Sequence, residues 1–205
     1  MMRKIHHLLL WVVLLGAILP AWSAERSILV LGDSLSAGYG IEVDQGWVNL
    51  LRQRLQSTDP PWRVVNGSVT GDTTAGGLSR LPALLERYRP EIVIIELGSN
   101  DGLRGLSFKQ LRKNLLAMIA LVDSGGGRVL LIGGRLPPNY GEAYSEAFHR
   151  LFMEVAAARS LPLVPFLLEG VAQDRGLMQA DGYHPEAQAQ PLMLENVWPV
   201  LVPML

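Results

Sequence analysis

The chain has 205 residues, which suits one domain and barely two. Hydrophobic residues make up 49% and charged residues 18%, a globular composition that excludes a disordered chain or a coiled coil. Eighteen Lys and Arg stand against nineteen Asp and Glu, so no basic excess exists to neutralise a nucleic-acid backbone.

The first residues read as a secretory signal. Arg3 and Lys4 precede an uncharged apolar run from Leu8 to Leu19, followed by Pro20-Ala21-Trp22-Ser23-Ala24. Twelve apolar residues fall short of the ~20 that span a bilayer as a helix, so removal is favoured over a retained anchor. Cleavage after Ser23 puts Ala21 and Ser23 at the two small-residue positions; cleavage after Ala24 puts the bulky Trp22 at one of them. The mature chain, residues 24–205, then has a net charge of −3 rather than −1, because only Arg3 and Lys4 are lost. Export implies an oxidising compartment, yet the chain has no Cys, so packing alone must hold it together.

The mature chain alternates strands with helices. Ser27 to Leu31 is a short β-rich run ending at Gly32, and Trp47 to Leu55 has helical spacing. Trp62 to Val65 is a second strand, and Leu78, Leu81, Leu84 and Leu85 mark a helix that stops near Arg89-Pro90. Glu91 to Leu97 is almost continuously apolar, as expected of a central parallel strand buried on both faces. Phe108 to Val122 carries the next helical stripe, closed by Gly125-Gly126-Gly127. Arg128 to Ile132 is the fourth strand, Phe148 to Val155 another helix, and Leu163-Val164-Pro165 a weak edge strand. A last helix after Pro185 has boundaries blurred by Pro191 and Pro199. Five strands alternating with helices predict an α/β three-layer sandwich, flavodoxin-like, with a mostly parallel sheet and a single domain over 24–205. Ligands of such sheets bind beyond the carboxyl ends of the strands.

Those ends are where the polar blocks lie. Gly32-Asp33-Ser34-Leu35-Ser36 follows the first strand, Asn66-Gly67-Ser68-Val69-Thr70-Gly71-Asp72-Thr73 the second, and Gly98-Ser99-Asn100-Asp101 the third. Asp181-Gly182-Tyr183-His184-Pro185 lies near the C-terminus. Acyl transfer needs a nucleophile, a base, an orienter for the base and donors for the oxyanion. Ser34 can serve as nucleophile, His184 as base, and Asp181 as the group that fixes the imidazole tautomer. The oxyanion donors would be the backbone N–H groups of Ser34 and Gly71 and the side-chain amide of Asn100. Asp33, Asp72 and Asp101 read as capping or loop acceptors. The remaining mature-chain histidine, His149, lies beside an apolar helical stripe and reads as a surface or boundary residue. Two histidines and no cysteine leave no zinc site, and the glycine triplet precedes a strand, so it is no dinucleotide or phosphate cradle. No metal or cofactor is expected.

The four blocks, in this order across essentially the whole mature chain, resemble the GDSL-type SGNH hydrolases. Gly32 to Tyr39, Leu81 to Leu85, Asn100 to Gly105 and Leu136 to Gly141 are most similar to the secreted bacterial thioesterase I/protease I/lysophospholipase group. Two positions depart from the usual pattern: Ser99 stands where Gly or Ala is common, and Tyr183 where Leu or Ile is. Both alter pocket shape, and neither removes a catalytic atom. The resemblance implies the same roles for Ser34, Gly71, Asn100, Asp181 and His184, and hydrolysis of lysophospholipids, acyl thioesters and aryl or alkyl esters. No Gly-x-Ser-x-Gly elbow is present, which argues against an α/β-hydrolase.

An acyl chain needs an apolar groove, expected from the loop Gly102 to Ser107 with Leu103 and Leu106, the loop Leu136 to Tyr140, and Tyr183. Gly102 and Gly105 suggest that the first of these loops is a mobile lid. Competing expectations are a carbohydrate acetylesterase, which needs a short polar pocket, and a non-catalytic exported lipid-binding module. A flavin-binding protein lacks its Ser/Thr-rich phosphate loop here. With no heptads and no large apolar stripe, a monomer is the default.

Overall fold

The computed structural model describes residues 26–205. The signal segment over 1–23 lies outside the described residues.

Five strands form one sheet: β1 (Ser27–Gly32), β2 (Arg63–Asn66), β3 (Ile92–Glu96), β4 (Arg128–Ile132) and β5 (Leu163–Val164). Their order is β2-β1-β3-β4-β5, and every pairing is parallel. Leu29 of β1 stands opposite Val65 on one side and Val93 on the other. Because strand side chains alternate between faces, the register sorts the core into two halves. Ile28, Val30, Ile92, Ile94, Leu130 and Ile132 face one way. They pack on Trp47, Leu51 and Leu55 of α2 (Trp47–Gln56) and on Met193, Leu194 and Val197 of α7 (Gln190–Leu201). Leu29, Leu31, Val93, Ile95, Val129 and Leu131 face the other way. They meet α3 (Thr74–Tyr88), α5 (Phe108–Ser124) and α6 (Glu142–Arg159) through Leu81, Leu115, Met118, Phe148 and Phe152. Each fully buried Leu, Ile or Phe contributes ~1.5–3 kcal/mol, and two such layers explain how a chain without disulfides is held.

Two short helices sit at the carboxyl edge: α1 (Ser34–Ala37) directly after β1, and α4 (Ser99–Leu103) directly after β3. The sheet order reverses between β1 and β3, so this is the switch point where such sheets open a crevice. Asp33 caps α1 by accepting from the Leu35 N–H at 3.0 Å. No helix among the described residues is long and apolar enough to cross a membrane.

Three expectations need correction. The segment expected to be a loop from Gly102 begins inside α4, where Gly102 is buried. A Cβ there would come within 2.8 Å of Phe148 and 2.9 Å of Leu136, so close packing explains this glycine better than mobility does. The hydroxyls of Tyr144 and Tyr140 donate to the carbonyls of Gly102 (2.9 Å) and Leu103 (3.1 Å), pinning the first half of the expected lid. His149 is not a surface residue: it is buried on α6, and its Nδ1 bonds the Gly134 carbonyl at 3.1 Å. Gly134 lies two residues past the end of β4 at Ile132, and the imidazole satisfies a carbonyl that the sheet does not. Leu106 is 44% exposed and does not line the cavity described next.

Candidate active site

A cavity of about 710 Å³ opens at the carboxyl edge of the sheet. Asp33, Ser34, Asn100 and His184 line it, with Leu35, Leu103, Leu136, Tyr140, Phe166, Leu168, Met178 and Tyr183 forming most of the apolar wall. Of the residues expected along a substrate groove, Leu103, Leu136, Tyr140 and Tyr183 are therefore present, and Leu106 is not.

Ser34 opens α1, one residue after the β1 strand gives way to Asp33. Its Oγ lies 2.9 Å from His184 Nε2, across 150 positions of sequence. His184 Nδ1 lies 2.7 Å from Asp181 Oδ2. A carboxylate can only accept, so Nδ1 carries the proton and Nε2 is left bare to accept from the Ser34 hydroxyl. Asp181 is fixed by its own turn, accepting at Oδ1 from the N–H groups of Tyr183 (2.8 Å) and His184 (3.0 Å). Burial works against the Asp181 charge, but the hydrogen bonds from the His184 ring and these two N–H groups outweigh it, and its pKa falls to about 2.

Asn100, on α4, donates from Nδ2 to Asp33 Oδ2 at 3.1 Å. That bond settles which way the amide faces, with its second N–H free to point elsewhere. Gly71 does not line the cavity. Its loop is tied to the end of β1 by the Val69 N–H, which donates to the Gly32 carbonyl at 3.0 Å. The Gly71 carbonyl accepts from Arg104 at 2.8 Å, and its φ of 77° suits glycine. Asp101 is a structural acceptor: it takes the Thr74 N–H at 2.8 Å and the Thr74 hydroxyl at 2.6 Å, anchoring the start of α3. Asp72 pairs with Arg80 at 2.7 Å.

One functional neighbour escapes sequence reasoning. Glu96, the last residue of β3, is buried beneath the nucleophile turn. Its Oε2 accepts from the Ser36 hydroxyl at 2.7 Å and from the Asp33 N–H at 3.3 Å. Burial, followed by the Asp33 charge, pushes its carboxyl well above the usual range. Asp33 is itself raised to about 6, mainly by burial. A lone acid at the end of an otherwise apolar strand was the signal available in the sequence.

A nucleophile, a base and an orienter in hydrogen-bonded series at a cavity wall constitute an acyl-transfer geometry. The model of the GDSL-like lipase/acylhydrolase family matches residues 30–191, which contain all of these groups. The chain belongs to this family. Esterase TesA of Pseudomonas aeruginosa is 53% identical over 188 residues, 92% of this chain and 94% of that protein. Thioesterase 1/protease 1/lysophospholipase L1 of Escherichia coli is 41% identical over 183 residues, 89% of this chain and 86% of that protein. A crystal structure of TesA, 54% identical, superposes with a TM-score of 0.85, covering 88% of this chain and all of that one. This GDSL-like chain is, like those relatives, an ester-hydrolysing enzyme.

Proposed function

We propose that the protein hydrolyses acyl esters and thioesters through a covalent acyl-enzyme on Ser34. The observation that carries this reading is the relay of 2.9 Å from Ser34 Oγ to His184 Nε2 and 2.7 Å from His184 Nδ1 to Asp181. Ser34 Oγ attacks the substrate carbonyl carbon while His184 Nε2 takes its proton. Asp181, ionised across the whole working range, stabilises the imidazolium that forms. The oxyanion is met by the Ser34 N–H and the Asn100 amide at the cavity wall, with the Gly71 N–H, on a loop outside the cavity lining, as the third donor we assign; such neutral donors are worth ~2.7–4 kcal/mol each in a dry site. His184 then protonates the departing alkoxide or thiolate. A water, deprotonated by His184, attacks the acyl carbon; His184 returns that proton to Ser34 Oγ as the acyl–oxygen bond breaks, and the carboxylic acid is released.

The acyl group we assign is a hydrocarbon chain. Leu35, Leu103, Leu136, Phe166, Leu168 and Met178 line a space far larger than an acetyl group needs, which favours lysophospholipids, acyl thioesters and aryl or alkyl esters over acetylated carbohydrate. The test is a series of p-nitrophenyl esters from acetyl to palmitoyl, run on the mature protein and on Ser34→Ala. We expect turnover to rise beyond acetyl and to fall on the order of 10⁶-fold in the variant. A variant as active as its parent would exclude Ser34 as nucleophile, and a preference for acetyl would favour the carbohydrate reading.

We also infer export, with residues 1–23 removed and residues 24–205 acting as one monomeric domain. The basic start and short apolar run support it. Intact mass of the protein recovered outside the cytoplasm should correspond to a chain beginning at Ala24; a chain retaining Met1 would sink the inference.

A further inference from the structure

His184 and Asp181 lie on a turn whose hydrogen bonds are nearly all internal. The Gln179 N–H donates to the His184 carbonyl at 2.7 Å, and the Gly182 N–H to the Gln179 carbonyl at 2.9 Å. An antiparallel bridge joins Met178 and Pro185 at the base of the turn. These bonds give the turn its shape and say nothing about where it sits relative to Ser34.

The side chain of Gln179 supplies that second relation. Its Nε2 donates to the Pro185 carbonyl at 3.0 Å and to the Tyr39 carbonyl at 2.8 Å. Tyr39 belongs to the nucleophile segment: its N–H donates to the Ser34 carbonyl at 3.1 Å. Among the described residues, the Gln179–Tyr39 bond and the Ser34–His184 bond itself are the two hydrogen bonds that join residues 178–185 to residues 33–40. The Tyr39 ring meets the His184 ring at a centroid distance of 4.4 Å, so fixing the Tyr39 backbone also fixes one face against which the imidazole rests. Gly40 completes the arrangement. A Cβ at that position would come within 2.8 Å of Gln179 Cδ and Nε2, so the amide head occupies space that only glycine leaves open. Both donor hydrogens of one planar amide thus bridge the two halves of the site.

We propose that Gln179 is a positioning residue: its side-chain amide clamps the base-bearing turn to the nucleophile segment and so sets the Ser34–His184 approach. The proposal rests on the reading of Ser34 and His184 as nucleophile and base. Losing the clamp leaves Asp181 and His184 paired within their own turn, but lets that turn drift from Ser34. A misplacement of about 1 Å costs on the order of 10²-fold in such a step.

The test uses Gln179→Met, which keeps the length of the side chain and removes its donors. Against a p-nitrophenyl ester we expect kcat to fall about 10- to 100-fold, with KM within about twofold of the parent, because ground-state binding does not pass through Gln179. Crystals of Gln179→Met should show His184 Nε2 displaced from Ser34 Oγ beyond the 2.9 Å of the parent. Parent-like kcat, a loss confined to KM, or an unmoved Ser34–His184 pair would each overturn the clamp. Should the parent itself hydrolyse no ester, the hydrolase reading falls, and the crystal comparison still decides whether Gln179 holds the two halves together.

Discussion

The two halves of the site are held by different physics. The nucleophile half is built into the core: Asp33, Ser34 and Ser36 are buried, and Glu96 below them ties the turn to the end of β3. Arg80 closes it from the side, donating to the Gly32 and Gly67 carbonyls and pairing with Asp72. The base half is a surface turn in which the side chain of His184 is 21% exposed and that of Asp181 39%. It is shaped by local hydrogen bonds between residues a few positions apart. The nucleophile therefore inherits its position from the packed sheet, whereas the base must be located by a handful of polar contacts. Damage to the first half should reach stability and activity together, and damage to the second should reach activity alone.

The largest expected effect is on the base side. His184→Ala should lower kcat on the order of 10⁴- to 10⁶-fold. A substitution on an exposed turn usually changes stability by less than ~0.5 kcal/mol, so Tm should move by no more than about 2 °C. Gly32→Ala is the matching lesion on the other side. Its Cβ would lie 2.7 Å from Glu96 Oε2 and from Ser36 Cβ, in a space with no slack. Overpacking of that kind costs ~1–3 kcal/mol. For a domain of this size that lowers Tm by several degrees, at about 2–4 °C per kcal/mol. The displaced turn should also lose activity, on the order of 10²-fold. Thermal melts and steady-state kinetics on both variants check the contrast. It breaks if His184→Ala melts as low as Gly32→Ala.

The same division explains what could be read from the sequence. Strand runs, helical stripes and the four polar blocks are local patterns, and Ser34, Asn100, Asp181 and His184 each stand in one of them. The strand–helix alternation also led to the parallel sheet, since crossovers leave few other arrangements. What stayed hidden depends on distant partners. Glu96 bonds Ser36 sixty positions away, and nothing in the run Ile92 to Glu96 says which residue will meet the acid. His149 meets Gly134 only because α6 packs across the end of β4. The helix α4 has five residues and two flanking or internal glycines, too short for periodicity to register. Gly102 reads as a hinge in one dimension and is a close contact with Phe148 in three. Leu106 fits an apolar lining by composition, but its loop carries it away from the cavity.

The finest test of the comparison is the sign of each half's pH dependence. Burial raises the pKa of Asp33 to about 6, against the pull of the Leu35 N–H, the Asn100 amide and the His184 charge. The folded protein then holds this proton more tightly than the unfolded chain does. Its contribution to stability is fully present below pH 3.8 and is lost as pH rises through about 6. Glu96, raised for the same leading reason, acts in the same direction at higher pH. Asp181 has the opposite sign: lowered to about 2, it contributes above pH 3.8 and is lost as pH falls through about 2. Its exposure to solvent keeps that contribution small. Asp33→Asn should therefore flatten a decline in Tm between pH 4 and pH 7, by about a few degrees. Asp181→Asn should flatten only a shallower loss between pH 4 and pH 2. Melting curves across both windows, with each variant against the parent, separate the two. If Asp33→Asn and its parent run parallel from pH 4 to pH 7, the buried half does not hold its proton through folding, and its contrast with the exposed half lies in packing alone.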